Sequence, residues 1–124
     1  MNQNVFRQIV LANYTGRCAI TGIDIPELLF ASHIVPWSQN AEERLNPENG
    51  ICLSALYDKA FDKGLIGLNN KYEILISKQL RERKNNDYYS HHFSFLEKKK
   101  LEMPQKYLPK KEFIEYHLDE IFEK

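Results

Sequence analysis

Apolar residues near the start of the chain recur at helical spacing. Val5, Phe6, Ile9, Val10 and Ala12 share one stripe, which predicts an amphipathic helix over residues 4–14 ending near Thr15-Gly16. Cys18-Ala19-Ile20 then runs into Thr21-Gly22, a tight-turn signal. From Leu28 to Val35 the pattern becomes a strand-like apolar run. Pro36 stops it, because proline has no N–H for a ladder and keeps its predecessor out of the helical region. Residues 38–48 are polar and contain Pro47, so they read as a loop. Asn49-Gly50 reads as a turn dipeptide, and Ile51-Cys52-Leu53 as the return strand of a hairpin. Ser54 is placed to cap a short helix, Ala55 to Asp62, through its hydroxyl, and Lys63-Gly64 closes that helix with a left-handed glycine.

A second hairpin fits Leu65 to Ile76, with Asn69-Asn70 turning the chain between LIGL and YEILI. Residues 77–109 are charged and interrupted by Pro104 and Pro109. Leu80, Phe93, Phe95, Leu96 and Leu101 suggest short helices or loops packed on the domain. The chain closes with a helical stripe of Phe113, Ile114, His117, Leu118, Ile121 and Phe122 over Lys111 to Lys124. The fold class read from this order is α+β, in one domain.

Composition narrows the class. With 124 residues, 43% of them hydrophobic, the chain can bury one small core but not two. No apolar stretch approaches the roughly 20 residues that span a bilayer. The polar start MNQN lacks the order of a secretory signal, so a soluble, cytoplasmic protein with no membrane partner is expected. Cys18 and Cys52 are too few for a disulfide scaffold, and neither belongs to a CxxC pair, so both are expected as buried thiols, with no structural zinc. The net charge of zero argues against a strongly basic wrapper of nucleic acid. It hides an uneven distribution: residues 78–112 carry ten Lys/Arg against five Asp/Glu. That run is either a solvated face or a surface for phosphates.

The chemistry lies between Leu28 and Gly64, in the order strand, His33, loop, Asn49, strand, then a helix with Asp58 and Asp62. Phosphodiester hydrolysis needs a base for water, a cation to neutralise charge on the scissile phosphate, and a group that orients the base. Histidine suits the first role, since its ordinary pKa near 6.5 leaves it mostly neutral at cellular pH. A backbone carbonyl or the amide of Asn49 can hold its other ring nitrogen. Asp58 and Asp62, four apart, share one helix face, where carboxylates suit a hard ion such as Mg²⁺. His91 and His92 lie in an irregular segment and read as surface residues. His117 belongs to an apolar stripe and reads as core.

The stretch CAITGIDIPELLFASHIVPW, followed by RLNPENGICLSALYDKAFDKGLI, resembles the HNH endonuclease family. The resemblance is to its bacterial restriction-associated branch, written A-S-H-I-x-P-W, N-G-[LI], D-x-x-F-D-x-G-L-I. The motif core covers residues 18–68, and the flanking VFRQIVLANY and FIEYHLDEIF also resemble what surrounds that core. The resemblance implies a single nuclease domain over residues 1–124 with a ββα-metal (His-Me finger) core, flanking helices and one divalent cation, Mg²⁺ or Mn²⁺. DNA is the implied substrate. His33 matches the general base, and Asn49 matches the residue that steadies the motif's loop and helps orient it. Many relatives carry a further N-terminal region, so these residues are also expected to be part of a longer protein.

Three positions depart from the family pattern. Asp58 stands where many relatives place a second, metal-binding His, with Tyr57 just before it; a carboxylate there favours Mg²⁺ or Mn²⁺ over zinc or nickel. Ser32 stands where many relatives carry an acidic or His ligand. Thr21 stands where the zinc-ribbon subtype has a second Cys. Asp62 matches the family's F-D-x-G and either binds the metal or bonds backbone at the helix end. Trp37 either packs beside the base or stacks on sugar or base, or, the favoured reading, serves as a core or lid residue. Lys59 and Lys63, near the proposed ligands, and Arg81, Arg83 and Lys84 in the basic segment are candidates for flanking phosphates. The expectation is a metal-dependent DNA endonuclease. The alternative is an HNH-fold module that binds DNA or a protein and has lost activity through the altered metal shell.

Overall fold

The computed structural model describes residues 3–36 and 42–124; Trp37 and residues 38–41 of the polar stretch after it lie outside the described residues. Helix α1 spans Gln3–Asn13 and buries Phe6, Val10 and Asn13, the i, i+4, i+7 line of one face. Val5 and Ile9 remain exposed, so the apolar stripe is wider than the face the helix covers. Thr15 and Gly16 end the helix in left-handed conformation, φ 55° and 70°, and the Gly16 N–H donates back to the Leu11 carbonyl at 2.8 Å.

A 3₁₀ turn, Pro26–Leu28, leads into strand β1, Leu29–His33. It pairs antiparallel with β2, Gly50–Ser54, so that Leu29 faces Ser54 and His33 faces Gly50. Helix α2, Ala55–Asp62, follows β2 directly and packs on both strands. Asn49-Gly50 is not the tight turn its composition suggests. Asn49 ends a 3₁₀ turn, Pro47–Asn49, and Gly50 is extended at φ −134°, ψ 144°. The glycine is there for space: a Cβ would lie 2.6 Å from Val10 Cγ2 and 2.7 Å from Phe6 Cζ. Helix α1 can rest on the hairpin only because this residue has no side chain.

Ser54 precedes α2 as expected, but its hydroxyl makes no cap bond. It donates to Cys18 Sγ at 3.4 Å, because β2 is buried throughout and its last side chain meets the 18–23 turn rather than the helix end. The same sulfur accepts the N–H groups of Ile20 and Thr21. Cys18 and Cys52 are buried free thiols. Helix α2 closes as predicted: Gly64 has φ +74°, and the Leu65 N–H donates to the Ala60 carbonyl at 2.8 Å.

Strands β3, Ile66–Leu68, and β4, Ile74–Ile76, form the second antiparallel hairpin. Its connection is longer than the two-residue Asn-Asn turn read from sequence. The Asn69 side-chain oxygen accepts from the N–H groups of both Lys71 and Glu73, and Tyr72 takes φ 63°. Short helices α3, Lys78–Arg81, and α4, Asp87–His92, and a 3₁₀ turn, Ser94–Leu96, follow. Leu80, Phe93, Leu96 and Leu101 are buried as expected, whereas Phe95 is exposed. Helix α5, Lys111–Glu120, stops short of the chain end and packs on β3. Among the described residues, no helix is long and apolar enough to cross a membrane.

His117 is core, as its place in the stripe predicts. Its ring stacks on Phe61 at 3.9 Å between centroids, and its Nε2 meets the Phe61 carbonyl at 2.8 Å. Burial pushes its pKa down from 6.5 to about 4. A depressed histidine contributes stability fully above its unfolded pKa, and that stability is lost as pH falls toward the folded value. Urea unfolding should therefore show a decline of about 3 kcal/mol between pH 6.5 and pH 4 from this residue. His117→Phe should flatten that part of the profile; an unchanged slope would contradict the burial of a neutral ring.

Candidate active site

His33 sits at the last position of β1, where strand pairing ends and the connection to β2 begins. Asn49 closes that connection. Its side chain is wholly buried; Oδ1 accepts from the Val35 N–H at 2.8 Å, and Nδ2 donates to the carbonyls of Val35 at 3.1 Å and Glu43 at 3.3 Å. Its backbone carbonyl also accepts from the Ile34 N–H at 3.0 Å. One amide thus takes the place of a ladder partner for Val35 and fastens the far side of the loop to it. Losing it would leave buried backbone groups unpaired, at about 1–3 kcal/mol each.

The carbonyl next along from Glu43, that of Arg44, meets His33 Nε2 at 2.6 Å. A carbonyl only accepts, so Nε2 carries a proton and the basic lone pair of the neutral ring lies on Nδ1. Of the two ways of holding the ring open to the sequence, the backbone carbonyl is the one observed. Asn49 acts on the ring through the loop. Phe6 of α1 stacks on the imidazole, centroids 4.3 Å apart and planes 7° from parallel. Burial is the main cause of a His33 pKa below the ordinary histidine value; the Arg44 carbonyl and the charge of Asp62 oppose it. The ring is therefore neutral at cellular pH.

Alternation along β1 sends Ser32 to the opposite side of the sheet from His33, toward α2. There its hydroxyl donates to Asp58 Oδ1 in a short hydrogen bond. Burial raises the Asp58 carboxyl above its ordinary value; Ser32 opposes this, the Asp62 charge adds to it, and Lys59 opposes it. A half-buried carboxylate beside a second carboxylate is relieved by a cation, and two carboxylates are the donors a hard ion takes while keeping several waters. Among the described residues, no cluster of three or more His, Cys, Asp and Glu side chains gathers at one point.

The other candidates are distributed as follows. Asp62 is exposed at the end of α2, close enough for its charge to act on His33 and Asp58. Lys59 and Lys63 are exposed on the same helix. Tyr57 faces away: it is buried, its hydroxyl donates to the His92 carbonyl at 2.7 Å, and its ring meets the edges of Phe93 and Phe95. Arg81, Arg83 and Lys84 are exposed in the segment from α3 to α4, with Arg83 donating to the Gln79 carbonyl at 2.8 Å. His91 and His92 are exposed, as expected. Two participants were not singled out from the sequence. Phe6 looked like one more apolar helix residue, and the Arg44 carbonyl belongs to backbone, which leaves no mark in residue type.

With this geometry in view, three comparisons bear on the chain. Residues 18–69 match the family described as HNH endonuclease. No curated protein sequence matches. A solved structure described as a modification dependent TagI restriction endonuclease is similar in fold, with TM-score 0.69 at 15% identity, over 94% of this chain and 37% of that one. The chain thus spans well under half the length of that protein.

The site's electrostatics can be read directly. In metal-free protein followed by NMR, the His33 ring should titrate with a midpoint below the ordinary value of about 6.5. Asp62→Asn should move the midpoint lower still, because it removes a charge that favours the imidazolium. An upward move would contradict the arrangement.

Proposed function

We propose that this chain, whose residues 18–69 match the HNH endonuclease family, is a nuclease of that kind that cleaves DNA with the help of a divalent cation, with His33 as general base and Asp58 as metal ligand. The observation that carries the reading is the held imidazole, Nε2 on the Arg44 carbonyl, with the Asp62 charge acting both on that ring and on the Asp58 carboxyl although His33 and Ser32 leave β1 on opposite faces. The hairpin of β1 and β2 with α2 packed on it supports the reading of a ββα core. Asp58, with Asp62 beside it, would hold the cation, and Mg²⁺ or Mn²⁺ suits an all-oxygen set. When bound, the metal supplies positive charge against the scissile phosphate and leaving oxygen.

The protein's own residues do the rest. Nδ1 of His33 takes the proton of the attacking water, whose oxygen displaces the 3′ oxygen in line, leaving 5′-phosphate and 3′-hydroxyl ends. The Arg44 carbonyl keeps the ring in the tautomer that can accept that proton and stabilises the imidazolium that forms. Ser32 holds Asp58 in one orientation and is a positioning residue. Asn49 keeps the loop that carries Arg44 closed. Lys59 and Lys63, with Arg81, Arg83 and Lys84, contribute positive charge toward flanking phosphates.

A second reading, a domain that docks on DNA without cutting it, draws on Ser32 and Asp58 bonding each other where a ligand set is expected. Plasmid nicking with Mg²⁺ or Mn²⁺ against EDTA separates the two. His33→Ala should lower the cleavage rate about 10²- to 10⁴-fold while leaving DNA affinity within about threefold. Cleavage that survives this substitution contradicts the assignment of the base; binding without cleavage in any metal supports the second reading. Asp58→Asn should raise the metal concentration needed for half-maximal rate at least about tenfold.

A further inference from the structure

The open edge of β1 is bordered by a groove that neither the general base nor the carboxylates account for. It has a volume of about 320 Å³ and runs between the first turns of α1 and the strand. Gln3, Asn4 and Arg7 line one side, Phe30 and Ala31 the other, and His33 stands in it. His33 lines this groove, so a strand that presents a phosphate to His33 from this side lies against it.

Three features describe its occupant. Arg7 is held in place by backbone: Nη1 donates to the Leu29 carbonyl at 2.5 Å and Nη2 to the Pro26 carbonyl at 3.0 Å. No carboxylate among the described residues pairs with it, so a fixed guanidinium charge stands there with N–H groups to spare. Phe30 is 44% exposed, a flat apolar ring at the mouth of the groove. The exposed amides of Gln3 and Asn4 provide both donors and acceptors. A cation, an aromatic face and paired amides are the complement of a nucleotide: phosphate, base face and base edge.

We propose that this groove seats the nucleotide next to the scissile phosphate, its base on Phe30 and its phosphate toward Arg7. The proposal rests on the endonuclease reading above and adds a substrate class. A base lying on Phe30 has left its helical stack, so the occupant is single-stranded or locally opened DNA.

The test uses the whole chain in EDTA, where cleavage plays no part. Fluorescence anisotropy measures binding to single-stranded oligonucleotides that each carry one abasic residue at successive positions. In the natural protein, one abasic position should weaken binding about 5- to 100-fold. Phe30→Ala should weaken binding of the intact oligonucleotide to a similar extent and erase the abasic penalty, and Phe30→Trp should restore both. Phe30→Leu, which keeps bulk without a flat face, should behave like the alanine variant. Equal affinity of Phe30→Ala and the natural protein overturns the proposal, as does an abasic penalty that persists in the variant. Failure of plasmid nicking while the coupling remains contradicts only the endonuclease reading; nicking without the coupling contradicts only this one.

Discussion

The hydrogen bond from His33 Nε2 to the Arg44 carbonyl is the contact on which the rest of the site depends. It fixes which ring nitrogen is basic, and it exists only while the connection between β1 and β2 stays closed. The closure comes from one buried amide. Asn49 bonds both sides of that loop at once, on Val35 and on Glu43, the residue before Arg44. Asn49 and His33 thus form one unit, coupled through backbone rather than through contact between their side chains.

The surrounding architecture keeps that unit rigid. Gly50 lets α1 approach the hairpin, and the approach brings the Phe6 ring flat against the imidazole. On the other side of β1, Ser32 connects the strand to α2 through Asp58. Adjacent residues on one strand therefore address two helices. The imidazole of His33 and the carboxylate of Asp58 keep a fixed relation because both are referenced to the same five-residue strand. Burial acts in opposite directions on the two groups, lowering the pKa of His33 and raising that of Asp58, so that it disfavours the charged form of each.

Much of this was legible in the chain. The hairpin, the helix ending at Gly64, the second hairpin and the core role of His117 follow from periodicity and turn chemistry, and His33, Asn49 and Asp58 stand out through motif spacing. Where the reading failed, a tertiary demand had overridden a local preference. Asn49-Gly50 has turn composition, but the asparagine is needed as a buried bridge and the glycine as space for α1. Ser54 has cap chemistry, but its hydroxyl is drawn to Cys18. Ser32 read as a missing ligand, and its hydroxyl instead bonds the Asp58 carboxylate. The Arg44 carbonyl, the Phe6 stack and the fixed Arg7 were not legible, because each depends on which segments meet in space.

The most direct measurement of the central claim is the nitrogen NMR spectrum of the His33 ring at neutral pH in metal-free protein. A single tautomer is expected, with Nε2 protonated and Nδ1 unprotonated. A proton on Nδ1, or a ring that averages between tautomers as a free imidazole does, would contradict it.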